Sequence, residues 1–232
     1  MERAMDKTGG HKTVGIIHTT PATIAGLTAL AGEVLGSGVK IVNILDDSIL
    51  PDMMAERDVE FVRTRWISYA RNLERLGVSA VLSACSTVGE FAEEADGCMG
   101  IPVCRIDEAM AERAVEQGAV VSVFATLRST LNPTVRLVER KARAAGRGMT
   151  VNTVLVEGAY DALMRGDKET HDQKIMEAVN AYLAESDVIL LAQASMASAI
   201  SDACGARGKI LTSPRLGMER LRRLLYEDGA GV

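Results

Sequence analysis

Cys85-Ser86-Thr87 closes the apolar run 80–84 and precedes a helical pattern, placing a thiol and two hydroxyls where a strand end meets a helix N-terminus. The positive end of a helix favours a thiolate, which is both a soft base and a nucleophile. Such a group can take a proton alpha to a carbonyl, return one, or attack a double bond. Other strand ends carry related side chains. His18, Thr19, Thr20 and Pro21 close the first apolar run; Asn43, Asp46, Asp47 and Ser48 close the second. Thr126, Ser129 and Thr130 follow the run 120–124, and Gln193, Ala194 and Ser195 follow 188–191. Ligands of open parallel sheets bind outside the carboxyl ends of the strands, and hydroxyls beside helix N-terminal N–H groups receive carboxylates well. Any single Ser or Thr there can equally be a helix cap. Five such ends converging on one crevice predict a small anion pocket. Cys85 is its catalytic group, and His18, Thr19, Asn43, Ser86, Thr87, Thr126, Thr130, Gln193 and Ser195 are its substrate-binding groups.

The remaining candidates point elsewhere. Cys98 and Cys104 flank the Gly100-Ile101-Pro102 turn and Cys204 follows a helix, so all three read as small buried hydrophobes. No CxxC spacing is present, which argues against zinc and for free thiols. No G-x-G-x-x-G, P-loop or G-x-S-x-G occurs, and Gly36-Ser37-Gly38 runs into a strand instead of opening a helix. Asp46 and Asp47 are adjacent and point apart on regular backbone, which suits a turn better than a metal. His171 falls in the first turn of a helix and is expected at the surface; His11 belongs to a polar tail. No cofactor and no metal are implied.

These side chains need a scaffold, and 232 residues allow one large domain or two small ones. A net charge of −5 lacks the clustered cations a nucleic-acid surface requires. The longest nearly apolar run, 188–200, falls short of the ~20 residues needed to span a bilayer. The N-terminal MERAMDKTGGHK has no apolar signal region, so a cytoplasmic protein that binds neither membrane nor nucleic acid is expected. With aromatics at 3%, the core must be aliphatic. Strands are read at 14–18, 39–45, 80–84, 120–124, 151–156 and 188–191. Helices are read at 22–35, 55–76, 88–96, 108–117, 132–145, 167–185, 195–203 and 217–227. Nearly continuous apolar strands alternating with helices describe an α/β fold with parallel sheets covered on both faces.

The strands also repeat. The segment from Val81 matches the one from Leu190 at an offset of 109, pairing Ser86 with Ser195 and Cys85 with Ala194. Val14 matches Val121 at 107, and Lys40 matches Thr150 at 110. An internal duplication is implied: two pseudo-symmetric lobes, each a parallel sheet flanked by helices, with the active crevice between them. Lobe boundaries are expected at 1–107 plus 215–232 for the first lobe and 108–214 for the second.

At these residues the sequence resembles the aspartate/glutamate/hydantoin racemase superfamily, cofactor-independent enzymes with two pseudo-symmetric α/β lobes. The resemblance spans nearly the whole chain. Cys85-Ser86-Thr87 is similar to the nucleophile motif of the first lobe, Ala125-Thr126 through Ser129-Thr130 to the threonine-rich segment opening the second, and Gln193-Ala194-Ser195 to its Gly-Cys-Thr. The resemblance implies a racemase or isomerase acting on a small amino acid or carboxylic acid, and a homo-oligomer. It also implies a departure, because a two-base racemase uses one thiol on each face of the alpha carbon and the second thiol position reads as Ala194. Either His18 or His171 serves the second face, or the enzyme is not a two-base racemase. Superfamily relatives leave further alternatives open. Arylmalonate decarboxylases work with a single cysteine, the second, and maleate isomerases use the first as a nucleophile. A lyase acting on a malonate-type acid and a non-catalytic small-acid binding protein therefore stand beside the racemase.

Overall fold

The computed structural model describes residues 12–200 and 208–226. Among them, eight strands form two four-stranded sheets in which every pair is parallel. The first sheet contains β1 (Thr13–His18), β2 (Lys40–Leu45), β3 (Ala80–Ser83) and β4 (Val103–Arg105), in the order β2-β1-β3-β4. The second contains β5 (Val120–Ala125), β6 (Thr150–Leu155), β7 (Val188–Leu191) and β8 (Ile210–Thr212), in the order β6-β5-β7-β8. The two orders are the same order used twice. The helices are α1 (Ile24–Leu35), α2 (Ile49–Met54), α3 (Val59–Arg75), α4 (Gly89–Asp96) and α5 (Glu108–Gln117), then α6 (Arg128–Ala144), α7 (Ala159–Met164), α8 (Lys168–Tyr182) and α9 (Ser213–Tyr226). None is long and apolar enough to cross a membrane.

Strand alternation distributes the core over both faces of each sheet. In the first sheet, Ile17 and Val81 meet Trp66, Leu73 and Phe91 of α3 and α4, while Val14, Ile16 and Leu82 meet Leu27 of α1 and Met218, Leu221 and Leu225 of α9. In the second, Val121, Val123 and Leu190 meet α5 and α6, while Phe124, Ile189 and Leu191 meet Ile175 and Val179 of α8. These strands face protein on both sides, which explains their unbroken apolar composition.

Register refines the repeat. Ala84 donates its N–H to the Ile17 carbonyl, and Ala192 donates to that of Phe124. Val14 pairs with Ala80, and Val121 with Val188. The equivalence of β3 with β7 is therefore offset by 108 residues, one fewer than the sequence match suggests. Cys85 corresponds to Gln193, and Ser86 to Ala194. Uniformly apolar strands slide past one another without a mismatch in the sequence; hydrogen-bond register removes that freedom.

Several boundaries also move. The expected helix 55–76 begins at Val59, because Glu56 (φ 51°) and Asp58 (φ 23°) leave helical backbone and Asp58 caps the Phe61 N–H at 3.1 Å. A separate α2 precedes it, opened by Asp46, which accepts from both the N–H and the hydroxyl of Ser48. The segment expected as helix 195–203 forms a 3-10 turn over Ala194–Ala199, with its end outside the described residues. The final helix starts at Ser213, before the expected residue 217, and the expected end at 227 falls outside the described residues. Strands β4 and β8, of three residues each, and the six-residue α2 and α7 were not among the expected elements.

A buried cation ties the halves together. Arg105, 1% exposed, bonds Asp107 through Nε (2.6 Å) and Nη2 (2.9 Å), and Glu93 of α4 through Nη1 (2.7 Å). Glu93 continues to Arg140 of α6, and Glu90 to Arg136. Gly89 makes room for this guanidinium, since a Cβ there would lie 2.3 Å from Arg105 Cζ. Gly89→Ala should therefore lose about 3 kcal/mol in urea unfolding, through overpacking and a disturbed buried ion pair. Gly32→Ala, in α1 with open space around it, should gain about 0.5–1 kcal/mol in the same measurement.

Candidate active site

A cavity of about 550 Å³ opens where the carboxyl ends of both sheets converge. Cys85 enters it as the last extended residue (φ −127°, ψ 118°) before the 3-10 turn Ser86–Val88, which runs on into α4. The thiol is half-buried, and Ser86 and Thr87 behind it are buried. The Thr87 hydroxyl lies 2.9 Å from that of Thr130, near the start of α6, so the two lobes touch at the cavity through a pair of hydroxyls. Gln193 occupies the matching position of the second lobe, extended (φ −120°, ψ 139°) ahead of its own 3-10 turn.

The Gln193 side chain has a defined orientation. The backbone N–H of Thr126 can only donate, and it meets Gln193 Oε1 at 2.5 Å; the Thr126 hydroxyl donates to the same oxygen at 2.9 Å. With its oxygen held, Gln193, which lines the cavity, has its carboxamide N–H groups left to donate. Position 193 thus supplies a hydrogen-bond donor that neither takes up nor releases a proton near neutral pH.

Seven of the ten sequence-predicted site residues line this cavity: Thr19, Cys85, Ser86, Thr87, Thr130, Gln193 and Ser195. His18, Asn43 and Thr126 are not among its lining residues. Thr126 acts on it through Gln193. His18 is fully buried, its Nδ1 2.8 Å from Thr23 Oγ1 and its Nε2 2.9 Å from Asn43 Oδ1, while Asn43 Nδ2 donates to Thr28 Oγ1. That chain fastens β1 to β2 and to the start of α1. Burial holds the His18 imidazole below its ordinary value, outweighing the Asn43 bond that would raise it.

The other histidine considered for the second face also lies elsewhere. His171 was expected at the surface but is fully buried and absent from the cavity lining. Its Nδ1 sits 2.7 Å from Asp172 Oδ1, and its Nε2 has no partner among the described residues. It shares the buried face of α8 with Ile175 and Val179, at the i, i+4, i+8 spacing that places a side chain inward. Of the cysteines expected to be buried, Cys104 is, and burial pushes its thiol up to about 12, whereas Cys98 is exposed. His11 and Cys204 lie outside the described residues.

Sequence reasoning overlooked several wall residues. Leu50 and Pro51 follow β2, beyond the Asp47 that was read as a turn residue; Tyr160, Leu163 and Met164 come from α7; Ser213 and Pro214 open α9. The Ser-Pro pair was a readable signal, since Pro suits the first turn of a helix. The six-residue helices carried none. Among the described lining residues, Asp47, Cys85 and Tyr160 are the ionisable ones, and no group of three His, Cys, Asp or Glu among the described residues could hold a metal.

Two like α/β halves sharing one cavity at their strand ends define the class of protein. Within that class the chain belongs to the Asp/Glu/hydantoin racemase family, whose model matches residues 14–210. Family membership supports an isomerase of the racemase kind. Three solved structures show the likeness of fold. A glutamate racemase isoform from Bacillus anthracis is 18% identical, with a TM-score of 0.75 over 95% of this chain and 84% of that one. An allantoin racemase from Klebsiella pneumoniae is 16% identical, with a TM-score of 0.70 over 94% and 89%. An aspartate racemase from Picrophilus torridus is 16% identical, with a TM-score of 0.68 over 92% and 99%. Compared by sequence with curated proteins, the chain has no significant match.

The buried imidazole gives stability a pH dependence. The unfolded chain takes up a proton at His18 near 6.5, before the folded chain does, so this contribution is complete above 6.5 and is lost as pH falls through the lower folded value. Urea midpoints should drop from pH 7.5 to 5.5, and His18→Gln, which cannot titrate, should flatten that slope.

Proposed function

We propose that the protein is a cofactor-independent racemase- or isomerase-family enzyme acting on a small amino acid or carboxylic acid through the thiolate of Cys85. The observation that carries this reading is the placing of Cys85, the one thiol among the described wall residues, beside the buried hydroxyls of Thr19, Ser86 and Thr87. The thiolate sulfur takes the alpha proton, and the C–H electron pair moves into the carboxyl group, leaving an enediolate. Hydroxyls and the Gln193 carboxamide N–H groups hold its oxygens, which is where donors contribute most. Return of the proton from the Cys85 thiol regenerates the thiolate.

The amide opposite constrains the stereochemical outcome. Gln193 cannot deliver a proton to the second face, so inversion depends on Asp47 or Tyr160, the other ionisable wall groups. The same observation favours a second reading: loss of carbon dioxide from a malonate-type acid leaves an equivalent enediolate, and Cys85 alone can protonate it from one face.

Incubation of single enantiomers in deuterium oxide tests the first reading, with alpha-proton washout and slower racemisation expected. Release of carbon dioxide from a malonate-type acid would select the second. Cys85→Ser should lower either activity at least about a hundredfold; full activity in that variant would exclude Cys85 chemistry. Gln193→Cys should raise racemisation relative to washout by supplying a proton donor on the other face.

A further inference from the structure

Resting on the first, racemase reading of Cys85, which a malonate-type diacid does not serve, we propose that the substrate is a monocarboxylate bearing an aliphatic or aromatic substituent, and that dicarboxylates are excluded. The cavity is polar at its floor and apolar above it. The floor is built from strand-end hydroxyls and the Gln193 amide. The upper walls come from Leu30 of α1, Leu50 and Pro51 of α2, and Tyr160, Leu163 and Met164 of α7. No Lys, Arg or His is found among the described lining residues; the one charged side chain there is Asp47, at the rim.

One carboxylate is provided for by the strand-end hydroxyls, and a second finds no cation among the described lining residues. Placed against leucine and methionine, it would lose its hydration with no cation in return, and the negative Asp47 would repel it. Among the cations of neighbouring elements, Arg65 of α3 lies against Asp46 and Asp52, and Arg136 and Arg140 of α6 bond Glu90 and Glu93. An apolar substituent in the same place would cover wall that now faces water, including Met164, which is 59% exposed. The volume of about 550 Å³ falls within the range typical of small-molecule sites, with room for a substituent beyond the carboxylate.

Protection of Cys85 from iodoacetamide, followed by peptide mass spectrometry, reads occupancy without requiring turnover. The exposed Cys98 serves as an internal reference. Half-protection by 4-methylpentanoate or 3-phenylpropionate should need at least about tenfold less ligand than by succinate or glutarate, since a few methylenes in an apolar pocket command that ratio. Met164→Arg, at an exposed position that tolerates the change, should improve protection by glutarate up to about fivefold. Equal or better protection by the dicarboxylates in the unaltered protein would overturn the proposal, as would no protection by either apolar acid. Loss of activity in Cys85→Ser reports separately on the thiol, so failure of the substrate class and failure of the mechanism are distinguishable.

Discussion

The buried guanidinium of Arg105 sets conditions that its surroundings must meet. Burial opposes its charge, but Asp107 and Glu93 outweigh that and hold the cation well above its ordinary value. A buried cation without both partners would cost several kcal/mol, so the partners' backbones are fixed with them. Asp107 fixes the path from β4 into α5, and Glu93 fixes α4. Through Arg140 the same Glu93 reaches α6, and Glu90 reaches Arg136 one turn earlier. The turn that carries Cys85, Ser86 and Thr87 runs directly into α4, and Thr130 belongs to the first turn of α6. The ion pairs therefore set, from below, the separation of the two lobes at which the Thr87 and Thr130 hydroxyls meet.

Above this clamp the lobes are copies in topology and register but not in chemistry. Both central strands deliver an extended residue into the cavity ahead of a 3-10 turn, one with a thiol and the other with an amide. Thr126, at the end of β5, is what makes the amide specific, because it claims the oxygen and leaves the nitrogen. The result is a cavity with a thiol at the strand end of one lobe and an amide at the matching strand end of the other. The walls above add contrast of a different kind, since the short helices that follow β2 and β6 bring apolar side chains and leave the polar work to the floor.

Much of this arrangement was legible in the chain. The six longer strands were readable because burial on both faces leaves a continuous apolar run, and the strand-end hydroxyls because the ends of such runs are easily located. The three-residue β4 and β8 and the six-residue α2 and α7 were not, since so few residues establish no period. Long-range pairing was equally hidden. Nothing near Arg105 in sequence announces that it meets Glu93 and passes the contact to Arg140, and nothing at Gln193 announces its anchoring by Thr126. His171 shows a readable pattern passed over, as its spacing to Ile175 and Val179 already places it on the inner face of α8. The one-residue error in the repeat has the same origin as the successes: aliphatic strands identify themselves readily but do not fix their own alignment.

Positions 85 and 193 share nearly the same backbone angles, and at neither does the side chain hydrogen-bond the turn beyond it. The turns ask nothing of either side chain, and at 193 the demand comes from Thr126, whose N–H and hydroxyl need an acceptor there. At 85 a thiol, an amide or another group of similar size can be exchanged, and at 193 any group that still accepts from Thr126, while the sheets, the turns and the ion pairs beneath stay as they are. The repeated strand order presents two sockets on a common frame, and reactivity in this architecture can change one socket at a time.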